Sequence, residues 1–313
     1  MSRHVHDLDE SALARWPLPD PSGGKEQRGR VVVVGGSRHT PGAVLLAAEA
    51  AVRAGAGKPQ VATVGSVSVA ASVALPEAFV TALPETDEGE IAPGAAEQVL
   101  ELAADCDAVL LGPGLLSPER ACAFLEQVVP HLECPVVVDA LGMAFVTEHP
   151  DGLAHLEGRA VLTPNESELA VTLGRDGEKV HEHLVDSCVE LVDRTGATVV
   201  TGGEQTVVAA PGSDLAWSLT GGIPGLGVAG SGDVKAGVLL GLLGRGLPPE
   251  GAAVWAVALH QAAGRAVSED LAPVGFLARE VLGYVPREMA RLAAPQDREP
   301  GRVVGGRGPG ART

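Results

Sequence analysis

The strongest constraint on this chain is a rhythm in which short valine-rich runs alternate with longer alanine-rich ones. Val31–Val34, Gln60–Thr63, Ala108–Leu111, Val136–Asp139, Ala160–Leu162 and Thr198–Thr201 are short, largely apolar and rich in β-branched residues, which predicts buried strands. The stretches between them are long enough for helices. Parallel neighbours need such a crossover, so the alternation predicts an α/β fold with a mostly parallel sheet covered by helices. Thr206–Ala210 and Leu215–Leu219, joined through Pro211-Gly212, predict a hairpin added at one side. Aromatics make up only 3% of the chain, which suits a core of small branched side chains and close backbone approach.

With 313 residues, 45% of them hydrophobic, the chain can bury a large core, and a single domain spanning 29–294 is expected. Residues 1–28, with Pro17, Pro19 and Pro21 and no sustained period, predict a loosely attached, flexible arm on which His4 and His6 face solvent; residues 295–313, rich in Gly, Arg and Pro, predict a disordered tail. A formal charge of −17 excludes nucleic acid as a bulk partner, because a phosphate backbone needs a basic face. A nucleotide remains compatible, since a small phosphate site works through backbone dipoles and a metal ion, and magnesium is attracted to an acidic protein. Cys106, Cys122, Cys134 and Cys188 show no paired spacing, so they indicate neither a zinc site nor a disulfide framework. Without a signal-like core or a run of eighteen apolar residues, no membrane association and a cytoplasmic location are expected.

In a sheet of this kind ligands collect beyond the carboxyl ends of the strands. After the first strand stands Gly35-Gly36-Ser37-Arg38-His39-Thr40-Pro41-Gly42-Ala43, opening a helix that runs to Ala54. Gly112-Pro113-Gly114 and Thr163-Pro164-Asn165-Glu166-Ser167-Glu168 follow two later strands, and all of these are expected to meet at one crevice. The stretch Gly225-Leu226-Gly227-Val228-Ala229-Gly230-Ser231-Gly232-Asp233 precedes an apolar helix and completes the set. Its glycines let backbone N–H groups turn inward, and the helix dipole favours an anion there. Asp233 is the exception, because a carboxylate at a phosphate site is repelled unless it handles a proton or a metal. General base catalysis on a hydroxyl attacking a phosphoryl group fits it best.

These segments, in this order, resemble the carbohydrate kinase-like domain of NAD(P)H-hydrate dehydratases. The similarity rests on Val31–Ser37, Pro41–Ala43, Arg53–Gly57, Leu111–Leu115, Leu162–Pro164 and Ala229–Asp233, extends to Pro273–Phe276, and covers about Gly29 to Leu292. The resemblance implies a three-layer α/β/α ribokinase-like fold in which ADP or ATP, with magnesium, phosphorylates the hydroxyl of hydrated NADH or NADPH. Loss of phosphate then restores the nicotinamide. It further implies Asp233 as base and substrate contact, with Gly230, Ser231 and Gly232 at the nucleotide phosphates. Gly202, Gly203, Glu204, Gln205 and Thr206 would meet the nucleotide, while Ala43, Gly114 and Asn165 would line the hydrate pocket.

Four positions depart from the family's usual pattern. Asn165 stands where histidine is usual, and Gly202 where lysine is common, so a phosphate-facing cation is expected to be missing. Val138-Asp139-Ala140-Leu141 lacks a second aspartate, and Gly222–Leu226 replaces the usual Asn-Pro-Gly-Met. Asn165 to Glu168 also matches the Asn-x-x-Glu pattern of small-molecule kinases of the superfamily, in which Glu168 would hold magnesium through water. A kinase that releases its phosphorylated product, and a nucleotide-binding protein without turnover, are therefore the alternatives.

Smaller signals point elsewhere. His181 and His183 lack metal-ligand spacing and are expected at the surface, His39 is a substrate candidate, and His260 and Trp255 fall in an apolar run expected in the core. Self-association is compatible with the apolar composition, although no heptad marks an interface.

Overall fold

In the computed structural model, which describes residues 3–20 and 22–294, ten strands form one sheet. They are β1 (His4–Asp7), β2 (Arg30–Val34), β3 (Lys58–Val64), β4 (Phe79–Leu83), β5 (Ala108–Leu111), β6 (Val136–Val138), β7 (Ala160–Leu162), β8 (Thr198–Val200), β9 (Gln205–Ala209) and β10 (Leu215–Thr220). Their order is β1-β10-β9-β8-β7-β6-β5-β2-β3-β4. From β8 through β5 and β2 to β4 every pairing is parallel, whereas β9 runs antiparallel to both β8 and β10. The six strands and the side hairpin expected from the sequence are all present.

Because β2 lies between β3 and β5, the chain winds in opposite directions from it, which opens a crevice beyond its carboxyl end. Gly36 N–H donates to Pro113 O at 2.7 Å across that point, joining the two glycine-rich turns.

Alternate residues of β2 serve different cores. Val31 and Val33 pack with the helices Gly42–Arg53, Ser231–Gly244 and Pro249–Asp270, while Val32 and Val34 face the layer containing Ala96–Ala103, Pro118–Val128, Glu166–Leu173 and Leu184–Thr195. This is the three-layer α/β/α arrangement, with strands buried on both faces.

Two strands escaped the sequence reading. β4 is an edge strand with Phe79 exposed, so it has neither a clean alternation nor a fully apolar run. β1 is the larger difference, because it lies in the segment expected to be a loose arm. It pairs in parallel with β10, from His4 opposite Leu215 to Asp7 opposite Ser218, and Leu8 and Leu13 are buried after it. Trp255 Nε1–H donates to Trp16 O at 2.7 Å and Arg245 to Pro19 O at 3.0 Å, fastening the rest of the segment. The cause is the outer edge of β10, whose unpaired backbone groups need a partner. His4 and His6 do face solvent, as expected; the tail from 295 lies outside the described residues.

The cysteines also meet partners that spacing does not reveal. Cys106 and Cys134 bring their thiols within 3.4 Å, both still free, and Cys122 lies 3.7 Å from Glu126, which is hydrogen-bonded to His149.

The helices Gly42–Arg53 and Ser231–Gly244 approach more closely than side chains allow. A Cβ on Gly237 would lie 2.1 Å from Ala47 O, and one on Gly241 would lie 2.5 Å from Ala51 O. Glycine facing alanine thus sets the depth at which the second helix sits on the sheet. Gly237→Val should force these helices apart and lower the melting temperature by roughly 3–10 °C, read by thermal denaturation.

Candidate active site

The helix Ser231–Gly244 begins at a cleft of about 740 Å³ beyond the carboxyl ends of β6, β7 and β8. Gly230 is its N-cap, with φ 92°, a conformation that favours glycine, and it offers no side chain to cap the helix. Ser231 N–H is spent on Val228 O at 3.2 Å, and the Ser231 hydroxyl is paired with His260 Nε2 at 3.0 Å. The anion-attracting backbone is therefore narrower than the sequence suggested, and it centres on Gly232 and Asp233.

Around this helix end stand four carboxylates, Asp139, Glu168, Glu204 and Asp233, and one ammonium, that of Lys235. Each is positioned by its own element. Asp139 follows β6 and accepts a hydrogen bond of 2.6 Å from Thr163 Oγ1, which follows β7. Glu168 belongs to a capping box: Asn165 Oδ1 accepts from Glu168 N–H at 2.9 Å, and Glu168 Oε2 accepts from Asn165 N–H at 2.9 Å. Lys235 reaches down from the helix and donates to Thr201 O at 2.9 Å, at the end of β8. Ala140, next to Asp139, takes the left-handed conformation with φ 49°, local strain of a kind found at functional sites.

Burial governs the charges. It pushes the Asp233 carboxyl up to about 7, helped by the neighbouring Asp139. Burial likewise raises Asp139 and Glu168 and lowers Lys235, while the attraction between the ammonium and these two carboxylates opposes each shift. His260 is pushed down to about 3 by burial, so it is neutral and joins the helix Pro249–Asp270 to Ser231 as a hydrogen-bonding group. A carboxyl that changes state near neutrality, beside uncapped helix amides, has the attributes of a general base at an anion site.

Of the residues singled out from the sequence, Asn165, Glu168, Gly202, Gly203, Glu204, Thr206, Gly230, Ser231, Gly232 and Asp233 line this cleft. Gln205 does not; its side-chain amide donates to Ser218 Oγ at 2.8 Å. Ala43 and Gly114 lie beside the cleft at the β2–β5 crevice, where a Cβ on Gly114 would be 3.1 Å from the Ala43 Cβ. The two regions adjoin, because the space beside Gly230 is filled by Leu46, three residues beyond Ala43. His39 is exposed outside the lining, and His181 is a surface residue bonded to Glu166.

The sequence reading missed Asp139 and Lys235 as site residues, and it placed Thr163 at the crevice without assigning it a partner. For Lys235 the available signal was a lone lysine in the apolar run Val234–Leu243. It puts an ammonium in the cleft although residue 202 is not lysine. The side-chain space at Gly202 holds the Lys235 ammonium, since a Cβ there would lie 2.8 Å from Nζ.

The family model described as NAD(P)H-hydrate dehydratase matches residues 31–287. An ADP-dependent (S)-NAD(P)H-hydrate dehydratase of Xanthomonas campestris is 40% identical over 289 residues, covering 92% of this chain and 97% of the relative. A bifunctional NAD(P)H-hydrate repair enzyme of Thermofilum pendens is 34% identical; the match covers 88% of this chain but only 53% of that longer protein. Among solved structures, an ADP/ATP-dependent NAD(P)H-hydrate dehydratase of Bacillus subtilis, co-crystallised with ATP and Mg2+, superposes with a TM-score of 0.74 at 26% identity, covering 93% and 99% of the two chains.

The raised pKa of Asp233 has a signature in stability. Its folded value of about 7 exceeds the reference 3.8, so its stabilising contribution is complete below 3.8 and disappears as pH rises through 7. Asp233→Asn should raise the unfolding free energy at both pH values but more at pH 8 than at pH 5, the gain building between 3.8 and about 7 and differing between the two by on the order of a few kcal/mol. Thermal denaturation of both proteins across that range checks this; an equal shift at both pH values would contradict it.

Proposed function

The chain belongs to the NAD(P)H-hydrate dehydratase family, and we propose that its cleft carries out the nucleotide-dependent dehydration of hydrated NADH or NADPH through Asp233. Its ribokinase-like α/β/α fold has this cleft at the carboxyl edge of the sheet, with Asp233 in its lining. The observation that carries this reading is the Asp233 carboxyl, titrating at about 7 at the end of an uncapped helix.

Water is a poor leaving group from the hydrated ring, and phosphate is a good one. Asp233 takes the hydroxyl proton as the oxygen attacks the terminal phosphorus of ADP or ATP, and the bridging P–O bond breaks to release AMP or ADP. The amides at the start of the Ser231–Gly244 helix stabilise charge on the transferred group. In the second step the carbon–oxygen bond breaks, the ring nitrogen's electrons assist, and a proton leaves the adjacent ring carbon. Phosphate departs and the double bond is restored. Ala43 and Gly114 would admit the nicotinamide ring at the β2–β5 crevice, and Gly202 to Thr206, with Gly230 to Gly232, would receive the nucleotide.

The donor set fits magnesium, since four carboxylates and a single ammonium cannot by themselves accommodate a nucleotide's phosphates. Glu168, with one oxygen engaged by the capping box, would hold the ion through water at its other oxygen. When bound, magnesium would neutralise phosphate charge. The Asn165–Glu168 spacing that also fits a kinase has a local explanation in that capping box, so it does not by itself favour release of a phosphorylated product. The expected setting is cytoplasmic; no helix among the described residues is long and apolar enough to cross a membrane.

The purified protein, supplied with magnesium, ADP or ATP and chemically hydrated NADH or NADPH, should restore the near-ultraviolet absorbance of the reduced nicotinamide. Asp233→Asn should slow recovery by about 100-fold or more. The wild-type rate should fall as pH drops through about 7, because protonated Asp233 cannot accept the hydroxyl proton. Nucleotide binding with no recovery of absorbance would sink the dehydratase reading.

A further inference from the structure

We propose that Lys235 is the cation that holds the nucleotide's phosphates in this cleft, and that residue 202 is glycine so that the ammonium can occupy that place. The proposal rests on the nucleotide-binding reading above and assigns a residue to it.

Charge makes the first argument. Among the described residues lining the cleft, Lys235 is the only cationic side chain, against Asp139, Glu168, Glu204 and Asp233. A polyanionic ligand entering this space is repelled by every other charged side chain there. The lysine is also 8% exposed, a state that lysine rarely adopts without a partner or a task.

Hydrogen bonding makes the second. An ammonium has three donors, and the one protein acceptor found for Lys235 is Thr201 O at 2.9 Å. Asp139 and Glu168 act on it through space, yet among the described residues no carboxylate oxygen comes within the 4.0 Å of an ion pair. A lysine retained only to neutralise these acids would be expected in direct contact with one of them. Lys235 is instead anchored to a backbone carbonyl and has donor capacity to spare on the lining of the cleft.

Space makes the third. A Cβ at residue 202 would lie 2.8 Å from the Lys235 Nζ, and, its chain neighbours aside, no other atom of the described residues comes within 4 Å. That contact is therefore the single steric reason visible for glycine at this position, whose φ lies outside the left-handed range. Gly202 and Lys235 form one device, in which the strand-end loop gives up its side chain and the helix supplies the charge.

The test compares ADP and adenosine binding by titration calorimetry in magnesium buffer. The proteins are wild type, Lys235→Met, Lys235→Gln, Gly202→Ala, and the double variant Lys235→Met with Gly202→Lys. A charge-assisted contact to phosphate predicts that Lys235→Met weakens ADP by about tenfold or more while adenosine changes less than about twofold. Gly202→Ala keeps the lysine and displaces only the far end of its flexible side chain, so it should weaken ADP less than Lys235→Met does; Lys235→Gln, which also removes the charge, carries the test if Lys235→Met does not fold. The double variant returns an ammonium to the cleft from the other backbone and should recover part of the ADP affinity, which a merely structural lysine would not predict. Equal weakening of ADP and adenosine, or unchanged ADP binding in Lys235→Met or Lys235→Gln, would overturn the assignment. A wild-type protein that binds ADP no more tightly than adenosine would instead remove the phosphate site itself, a failure of the underlying reading and not of Lys235 alone.

Discussion

The contact on which the rest depends is the bare-backbone approach of the helices Gly42–Arg53 and Ser231–Gly244. Gly237 and Gly241 lie against the carbonyls of Ala47 and Ala51 with no room for a methyl group. Protein interiors are packed too tightly to absorb a shift there, so this contact sets the helix depth and thereby where its first turn emerges. That turn carries Gly230, Ser231, Gly232 and Asp233 to the ends of β6, β7 and β8. Leu46, on the partner helix, also fills the space beside Gly230, so the same pair of helices joins the cleft at Asp233 to the crevice that holds Ala43 and Gly114.

The chemistry follows from gathering several acids where little of their surface is exposed. Burial raises Asp233, and the neighbouring Asp139 raises it further. The result is a carboxyl that ionises near neutrality, useful for accepting a proton and unfavourable for folding once charged. The neighbouring groups limit the cost in different ways. Thr163 donates to Asp139, the capping box engages Glu168, and Lys235 attracts both acids. His260, held neutral by burial, ties the first turn to the helix behind it without adding charge.

Much of this was legible before the structure. The central strands announced themselves because burial on both faces demands uninterrupted Val and Leu. The glycine-rich loop and Asp233 did so because a carboxylate at an anion site needs a purpose. The edges were not legible. β4 is half exposed, and β1 has all four residues exposed, so neither carries the apolar pattern by which strands are recognised. β1 exists because β10 offers an open edge, a property of another part of the chain. Asn165 and Glu168 were visible as a pair, but only the coordinates show them bonding each other reciprocally while also lining the cleft.

By itself the sequence determined the α/β class, the parallel core, the glycine-rich loop that ends in Asp233, and the resemblance to the dehydratase family, all of which are written in local composition and order. Tertiary structure decided which strand ends share a cavity, that the amino-terminal segment completes the sheet, and which side chain supplies positive charge. Residues 139, 163, 202 and 235 are far apart in the chain and individually ordinary. Their roles arise from through-space electrostatics and exclusion of volume, which depend on separation in three dimensions. No local pattern encodes that a side chain missing at Gly202 leaves the room that Lys235 fills.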